Sequence, residues 1–256
     1  NAVDTEPTVT AGGVTSASIQ TATLNLKADK ATSLTIEGSS NVTLTLDATT
    51  TKLATIDAGT LTGNLDAGNT LNAVAMTITG GKGADVLKAS MGATAKADVL
   101  NGGDGNDTLY AGSNGAKLTG GAGNDLFFVK ATLATDGNKE SNTYSEILDF
   151  QAGDVLQLQY SNAGAAADVA SLTKLAAVLN ENTAVFSDFV NAAIKEAAAG
   201  AATWFNYKGD AYVVVDSHTN SAGDTFINGE DLIVKLTGIN GDNLSFNSDY
   251  GTAALI

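Results

Sequence analysis

The chain has 256 residues and a formal net charge of -15, from 28 acidic and 13 basic residues, and every basic residue is lysine. Without a basic face to neutralise phosphates, nucleic acid is excluded as a partner; without cysteine, disulfides, thiolate metal sites and a cysteine nucleophile are excluded as well. No apolar run approaches the roughly 18 residues of a membrane-spanning helix, and no N-terminal signal peptide is recognisable. A chain that begins at Asn1 is expected to be a fragment or a processed product, and an acidic surface of this kind attracts cations.

Residues 1–79 hold 19 threonines and a series of short alternating runs at 22–27, 33–37, 42–47 and 76–79. Alternation of aliphatic with β-branched polar residues predicts half-buried strands. Two similar segments, Ile56-Asp57-Ala58-Gly59 and Leu65-Asp66-Ala67-Gly68, lie nine residues apart and read as turns. Because the following segment repeats on the same nine-residue step, 1–79 is expected to be a solenoid-like domain that runs into it.

Three nonapeptides then fit G-G-x-G-x-D followed by a short strand. The first carries Gly80, Gly81, Gly83 and Asp85; the second Gly102, Gly103, Gly105 and Asp107; the third Gly120, Gly121, Gly123 and Asp125. Degenerate nonapeptides at 93–101 and 111–119 keep Leu100 and Leu118 in the strand position. The first of them retains Asp98, whereas Ala116 stands there in the second. Six residues of turn and three of strand make half a coil, so corresponding turns recur every second nonapeptide and stack. Glycine suits such turns because it tolerates positive φ and lets bare backbone bring carbonyls close to an ion. A segment this rich in glycine buries little apolar surface and loses much chain entropy, so an ion is expected to complete it. Ca²⁺ accepts six to eight oxygens in flexible geometry, whereas Mg²⁺ demands a tighter octahedron. Ions are expected between the turns of Asp85 and Asp107 and between those of Asp107 and Asp125. Asp98, facing a turn without aspartate, is expected to hold an ion weakly or not at all. Ordinary solvated turns would explain one copy of the motif but not three in register, and no P-loop lysine follows to support phosphate binding.

From 136 onward the runs 146–150, 154–160, 203–207, 211–216 and 231–237 read as strands. The alanine-rich stretch 164–199 reads as two helices. The first rests on Val169, Leu172, Leu175, Ala176 and Leu179, the second on Val185, Phe189, Ala192 and Ala193. Trp204, Phe205 and Tyr207 are core aromatics, and 136–256 is expected to carry the best globular core. His218 is the only histidine, so a two-histidine zinc site is impossible, and no G-x-S-x-G elbow accompanies it. Asp216, Asp224, Glu230 and Asp231 surround that histidine; a solvated acidic loop is favoured over an additional calcium site. No catalytic role is expected.

The three nonapeptides resemble those of RTX proteins exported by type I secretion. The stretches 147–150 and 153–156 look like the capping strand that follows such repeats, and 211–216 with 231–238 is similar to the C-terminal ends of RTX surface-layer proteins. The resemblance implies a mainly β fold: a parallel β-helix or solenoid (the RTX β-roll) over 80–135 and a C-terminal α+β capping and secretion-signal domain over 136–256. It also implies two or more Ca²⁺ ions, secretion of an unfolded chain by type I machinery, folding in extracellular calcium, and self-association into a lattice at the bacterial cell surface. The alternative it leaves open is the non-catalytic C-terminal tail of an RTX hydrolase, a protease or lipase, or of an adhesin.

Overall fold

The computed structural model describes residues 8–11, 21–69, 74–90, 97–112, 115–130, 144–162, 165–216, 225–226 and 231–256. It is mainly β, and the chain divides into two compact units, residues 1–126 and 127–256.

The first unit is a parallel β-solenoid. One of its sheets takes the strands Thr8–Ala11, Ser33–Gly38, Thr55–Asp57, Thr77–Thr79, Asp98–Asp104 and Ala116–Ala122; the other takes Thr21–Leu26, Asn41–Leu46, Leu65–Asn69, Val86–Lys88 and Thr108–Tyr110. The chain crosses from one sheet to the other after every strand, so each coil contributes one strand to each sheet. Inward positions form stacked columns, for example Leu34, Ile56, Ile78, Leu100 and Leu118, which are paired in register and fully buried. At about 25 cal/mol per Å² of apolar area removed from water, such columns are the main cohesive force of the solenoid. The alternation read in 22–27, 33–37, 42–47 and 76–79 is therefore present as strands.

The coil length departs from the nine-residue expectation. The step along the first sheet is 22 residues from Leu34 to Ile56, Ile56 to Ile78 and Ile78 to Leu100, and falls to 18 only from Leu100 to Leu118. The nine-residue spacing of Asp57 and Asp66 is not a repeat of turns. Asp57 ends a strand, and its Oδ1 accepts the Gly59 N–H at 3.0 Å, while Asp66 and its neighbours form the strand Leu65–Asn69 of the other sheet.

In the second unit, Ser145–Ile147, Leu232–Leu236, Asp210–Val215, Ala202–Tyr207 and Leu172–Lys174 form one sheet in that order. Ala165–Asp168, Val155–Asn162, Thr252–Leu255 and Leu244–Asn247 pair in a second. One helix, Phe186–Glu196, lays Phe189, Val190, Ala193 and Ile194 against Phe205, Tyr212, Val214 and Ile233 of the first of these sheets. The Asp188 carboxylate caps the helix start by accepting the Val185 N–H at 2.9 Å. Trp204 and Phe205 are buried, as expected.

The first expected helix does not form. Val169 and Leu175 are buried, but Ala165–Asp168 pairs antiparallel with Gln159–Asn162 and Leu172–Lys174 pairs parallel with Ala202–Trp204. Each segment lies on a strand that supplies a full row of hydrogen-bond partners, and this outweighs the modest intrinsic preference of a short alanine-rich helix.

Candidate metal centre

The turns that lead from the first solenoid sheet into the second carry all three G-G-x-G-x-D motifs. Their sixth-position aspartates form a buried ladder. Asp125 Oδ1 accepts the Asp107 N–H at 2.9 Å, Asp107 Oδ1 accepts the Asp85 N–H at 2.8 Å, and Asp85 Oδ1 accepts the Leu65 N–H at 2.6 Å. Each carboxylate thus reaches back one coil to a main-chain donor, and all three aspartates are only 1% exposed. Asp85 spends its second oxygen as well, on the Gly81 N–H at 2.6 Å. Asp107 Oδ2, by contrast, is buried with no hydrogen-bond partner. A buried polar atom left in that state is costly and calls for a counter-charge.

The glycines surround this ladder with main-chain oxygen. A Cβ added to Gly103 would overlap the Gly81 carbonyl oxygen, one on Gly105 the Gly83 oxygen, one on Gly121 the Gly103 oxygen and one on Gly123 the Gly105 oxygen. Two files of carbonyls therefore run along the stacked turns, aimed at the next coil. A Cβ on Gly102 would fall on Asp107 Oδ2 and within 2.6 Å of the Gly120 oxygen, and one on Gly80 would fall on Asp85 Oδ2 and the Gly102 oxygen. The same holds between Gly120 and Asp125 Oδ2. Close approach, more than backbone conformation, explains the glycines of the first motif, since positive φ occurs at Gly103, Gly105, Gly121 and Gly123 but at none of Gly80, Gly81 and Gly83. Gly121 combines both demands, with φ of +98° and the Gly103 oxygen in the way of any side chain. Gly121→Ala is accordingly expected to cost more than about 2 kcal/mol in millimolar calcium, checked by urea unfolding.

Electrostatics follow from burial. Loss of solvent pushes the Asp107 carboxyl up to about 7, with the charges of Asp85, Asp125 and Asp104 adding to the effect and the Asp85 N–H opposing it. Burial also raises Asp85, against the N–H groups of Leu65 and Gly81 that favour its charged form. The donor set consists of carboxylate and carbonyl oxygen with no nitrogen or sulfur, which fits a hard cation such as Ca²⁺. Among the described residues no three histidine, aspartate or glutamate side chains converge, so most of the ligands for an ion here would be main-chain carbonyls.

Asp98 belongs to a different environment, at the start of a strand in the other sheet and on the opposite side of the solenoid. Its Oδ1 accepts the Met76 N–H at 2.6 Å and its Oδ2 the Ser90 N–H at 2.5 Å, and one coil on it is matched by Ala116. Both oxygens are committed to main-chain donors. Of the acids around His218, Asp216 and Asp231 are buried at the facing ends of paired strands, in place of the solvated position expected for them; His218, Asp224 and Glu230 lie outside the described residues.

Upstream turns of the same design escaped sequence reasoning. Val42 pairs with Leu65, and Leu65 stands one coil before Asp85. Asn64 Oδ1 accepts the Ala84 N–H at 3.0 Å, as Asn106 Oδ1 accepts the Asn124 N–H at 2.9 Å, and Asn41 Oδ1 accepts the Asn64 N–H at 2.9 Å. The recurring signal is an asparagine directly before the sixth position at Asn41, Asn64, Asn106 and Asn124, hidden because the sixth residue changes from aliphatic to aspartate.

Residues 77–93, 93–115 and 117–129 match the family described as RTX calcium-binding nonapeptide repeat (4 copies). No curated protein matches the chain.

Proposed function

From this RTX calcium-binding repeat β-roll we propose that the chain is a calcium-binding structural module of a secreted, self-assembling bacterial surface-layer protein. The observation that carries the reading is Asp107 Oδ2, a buried carboxylate oxygen without a hydrogen-bond partner among stacked glycine carbonyls. Ca²⁺ ions are assigned between the turns of Asp85 and Asp107 and between those of Asp107 and Asp125. Their ligands come from the carboxylates and from the carbonyls of Gly80, Gly81, Gly83, Gly102, Gly103, Gly105, Gly120, Gly121 and Gly123. Asp98 is assigned a weak site at most, because its oxygens already serve main-chain donors.

Division of labour follows the chain: 1–79 extends the solenoid, 80–135 binds the ions, and 136–256 caps the solenoid and carries the determinants read by type I secretion machinery. Extracellular calcium then triggers folding after export. The role is structural, not catalytic, and among the described residues no helix is long and apolar enough to cross a membrane.

A lattice role requires copies carrying a net charge of -15 to approach one another. Each bound Ca²⁺ removes two units of that charge and can bridge carboxylates of neighbouring molecules. Millimolar calcium is therefore expected to convert the purified chain from dispersed particles into ordered assemblies, followed by light scattering and negative-stain microscopy against a chelator control. A calcium-loaded protein that remains monomeric at high concentration overturns the lattice role and favours the tail of an RTX hydrolase or adhesin.

A further inference from the structure

We infer that the solenoid is built in two parts with different needs: coils up to residue 69 close on apolar side chains and hold their shape without an ion, and they template the ion-closed coils that follow. The second half of this statement rests on the calcium reading above; the first half does not.

One turn design runs through both parts. At the position of Gly81, Gly103 and Gly121 the upstream coil has Leu61, whose carbonyl accepts the Lys82 N–H at 2.9 Å just as the Gly81 carbonyl accepts the Asp104 N–H at 2.9 Å. At the sixth position, where Asp85, Asp107 and Asp125 stand, the upstream coils have Leu65 and Val42. Leu61 and Leu65 are fully buried and Val42 is 2% exposed. The Leu61–Leu65 turn has therefore replaced a glycine and a buried carboxylate by aliphatic side chains in the same places, whereas the turn before it keeps a glycine, Gly38, whose carbonyl accepts the Thr62 N–H at 2.9 Å, and replaces the carboxylate alone, by Val42. Nothing in either turn asks for a counter-charge, and burial of Leu61 and Leu65 drives closure of the later one directly. Leu34, Ile36, Leu44, Leu53 and Ile56, all 0–1% exposed, complete the core of these coils.

The junction is built to dock the first glycine turn. The apolar turn offers the Leu61 carbonyl to Lys82, the Asn64 side chain to Ala84 and the Leu65 N–H to Asp85, whose other oxygen holds Gly81 in its own turn. Every carboxylate oxygen of Asp85 is thus satisfied by the protein itself. One coil later the same arrangement leaves Asp107 Oδ2 without a hydrogen bond. Dependence on an ion accordingly begins with Asp107. In a stack where each coil contacts only its neighbours, structure spreads from whichever coil is stable alone, so ordering proceeds from the apolar coils toward residue 126.

Hydrogen exchange read by mass spectrometry on the full chain tests this. In excess chelator, amides of 34–67 are expected to stay protected while those of 99–126 exchange at least about 100-fold faster, and millimolar calcium is expected to protect both. Rapid exchange of 34–67 together with 99–126 in chelator, reversed by calcium, overturns the template and leaves the calcium reading standing. Protection of 99–126 in chelator ends the calcium reading instead. Leu61→Ala supplies a second measurement: loosening the template is expected to raise the calcium concentration at which 99–126 become protected by about tenfold. An unchanged midpoint would show that the two parts fold independently.

Discussion

Transfer of the protein from millimolar calcium into excess chelator is expected to strip residues 99–126 of most of their β-structure, seen as a partial loss of the far-UV circular dichroism signal that calcium restores. The size of the effect follows from linkage. A ligand that binds only the folded form stabilises it by about 2.7 kcal/mol at a hundred times its dissociation constant. With extracellular-type affinity on the order of 10⁻⁴ M, two sites in about 10 mM calcium contribute roughly 5 kcal/mol together. That equals the lower end of the whole stability of a natural domain. The glycine turns have little else to hold them, because the sixth position of each is a buried aspartate and not an aliphatic residue. A spectrum that is the same in calcium and chelator would falsify the link between ion binding and folding.

Asp107→Asn and Asp98→Ala are expected to act in opposite ways, although both aspartates occupy the sixth position of a nonapeptide. An asparagine side chain at position 107 keeps an oxygen that can accept the Asp85 N–H and removes a buried charge, so in chelator the variant gains stability at neutral pH. The pH dependence fixes the sign. A carboxyl whose pKa is raised from 3.8 to about 7 in the folded protein contributes stability that is complete below about pH 4 and lost as pH rises through about 7. Ion-free wild-type protein should therefore lose stability between about pH 4 and 7, by at most about 4 kcal/mol at 1.36 kcal/mol per pKa unit, and the asparagine variant should lose much less. In calcium the order reverses. Asp107 lies on the turn shared by both assigned sites, and calorimetric titration of Asp107→Asn should show fewer ions bound and a weaker affinity. Asp98→Ala, which strands the buried N–H groups of Met76 and Ser90, should cost about 3 kcal/mol in calcium and leave the ion count unchanged. Equal losses of bound ion in the two variants would show that the ladder of Asp85, Asp107 and Asp125 is not where the ions sit.

Local chemistry made much of this protein legible in its sequence. Period-2 alternation announced the strands at 33–38, 41–46 and 77–79, because one face of each is buried in the solenoid and the pattern is a direct print of that burial. The glycine motifs announced the stacked turns and the donor chemistry, since only a residue without a Cβ allows one coil's carbonyl to lie against the next. Helix 186–196 was legible for the same kind of reason, with Phe189 and Ala193 one turn apart on the packed face.

The tertiary structure decided what depended on neighbours. Alanine-rich residues 165–174 became strands because edges of two sheets were there to pair with them. The kinship of Leu61-Thr62-Gly63-Asn64-Leu65 with the glycine turns emerged only from stacking, since coil steps of 18, 20, 22 and 23 residues erase any fixed period. The same cause separates Asp98 from Asp107. A sequence records that each is an aspartate at the sixth place of a nonapeptide, but the main-chain donors a buried carboxylate meets belong to the coil beside it. Two N–H groups reach Asp98 and one reaches Asp107, and on that difference rests our proposal of a cation at one aspartate and not at the other.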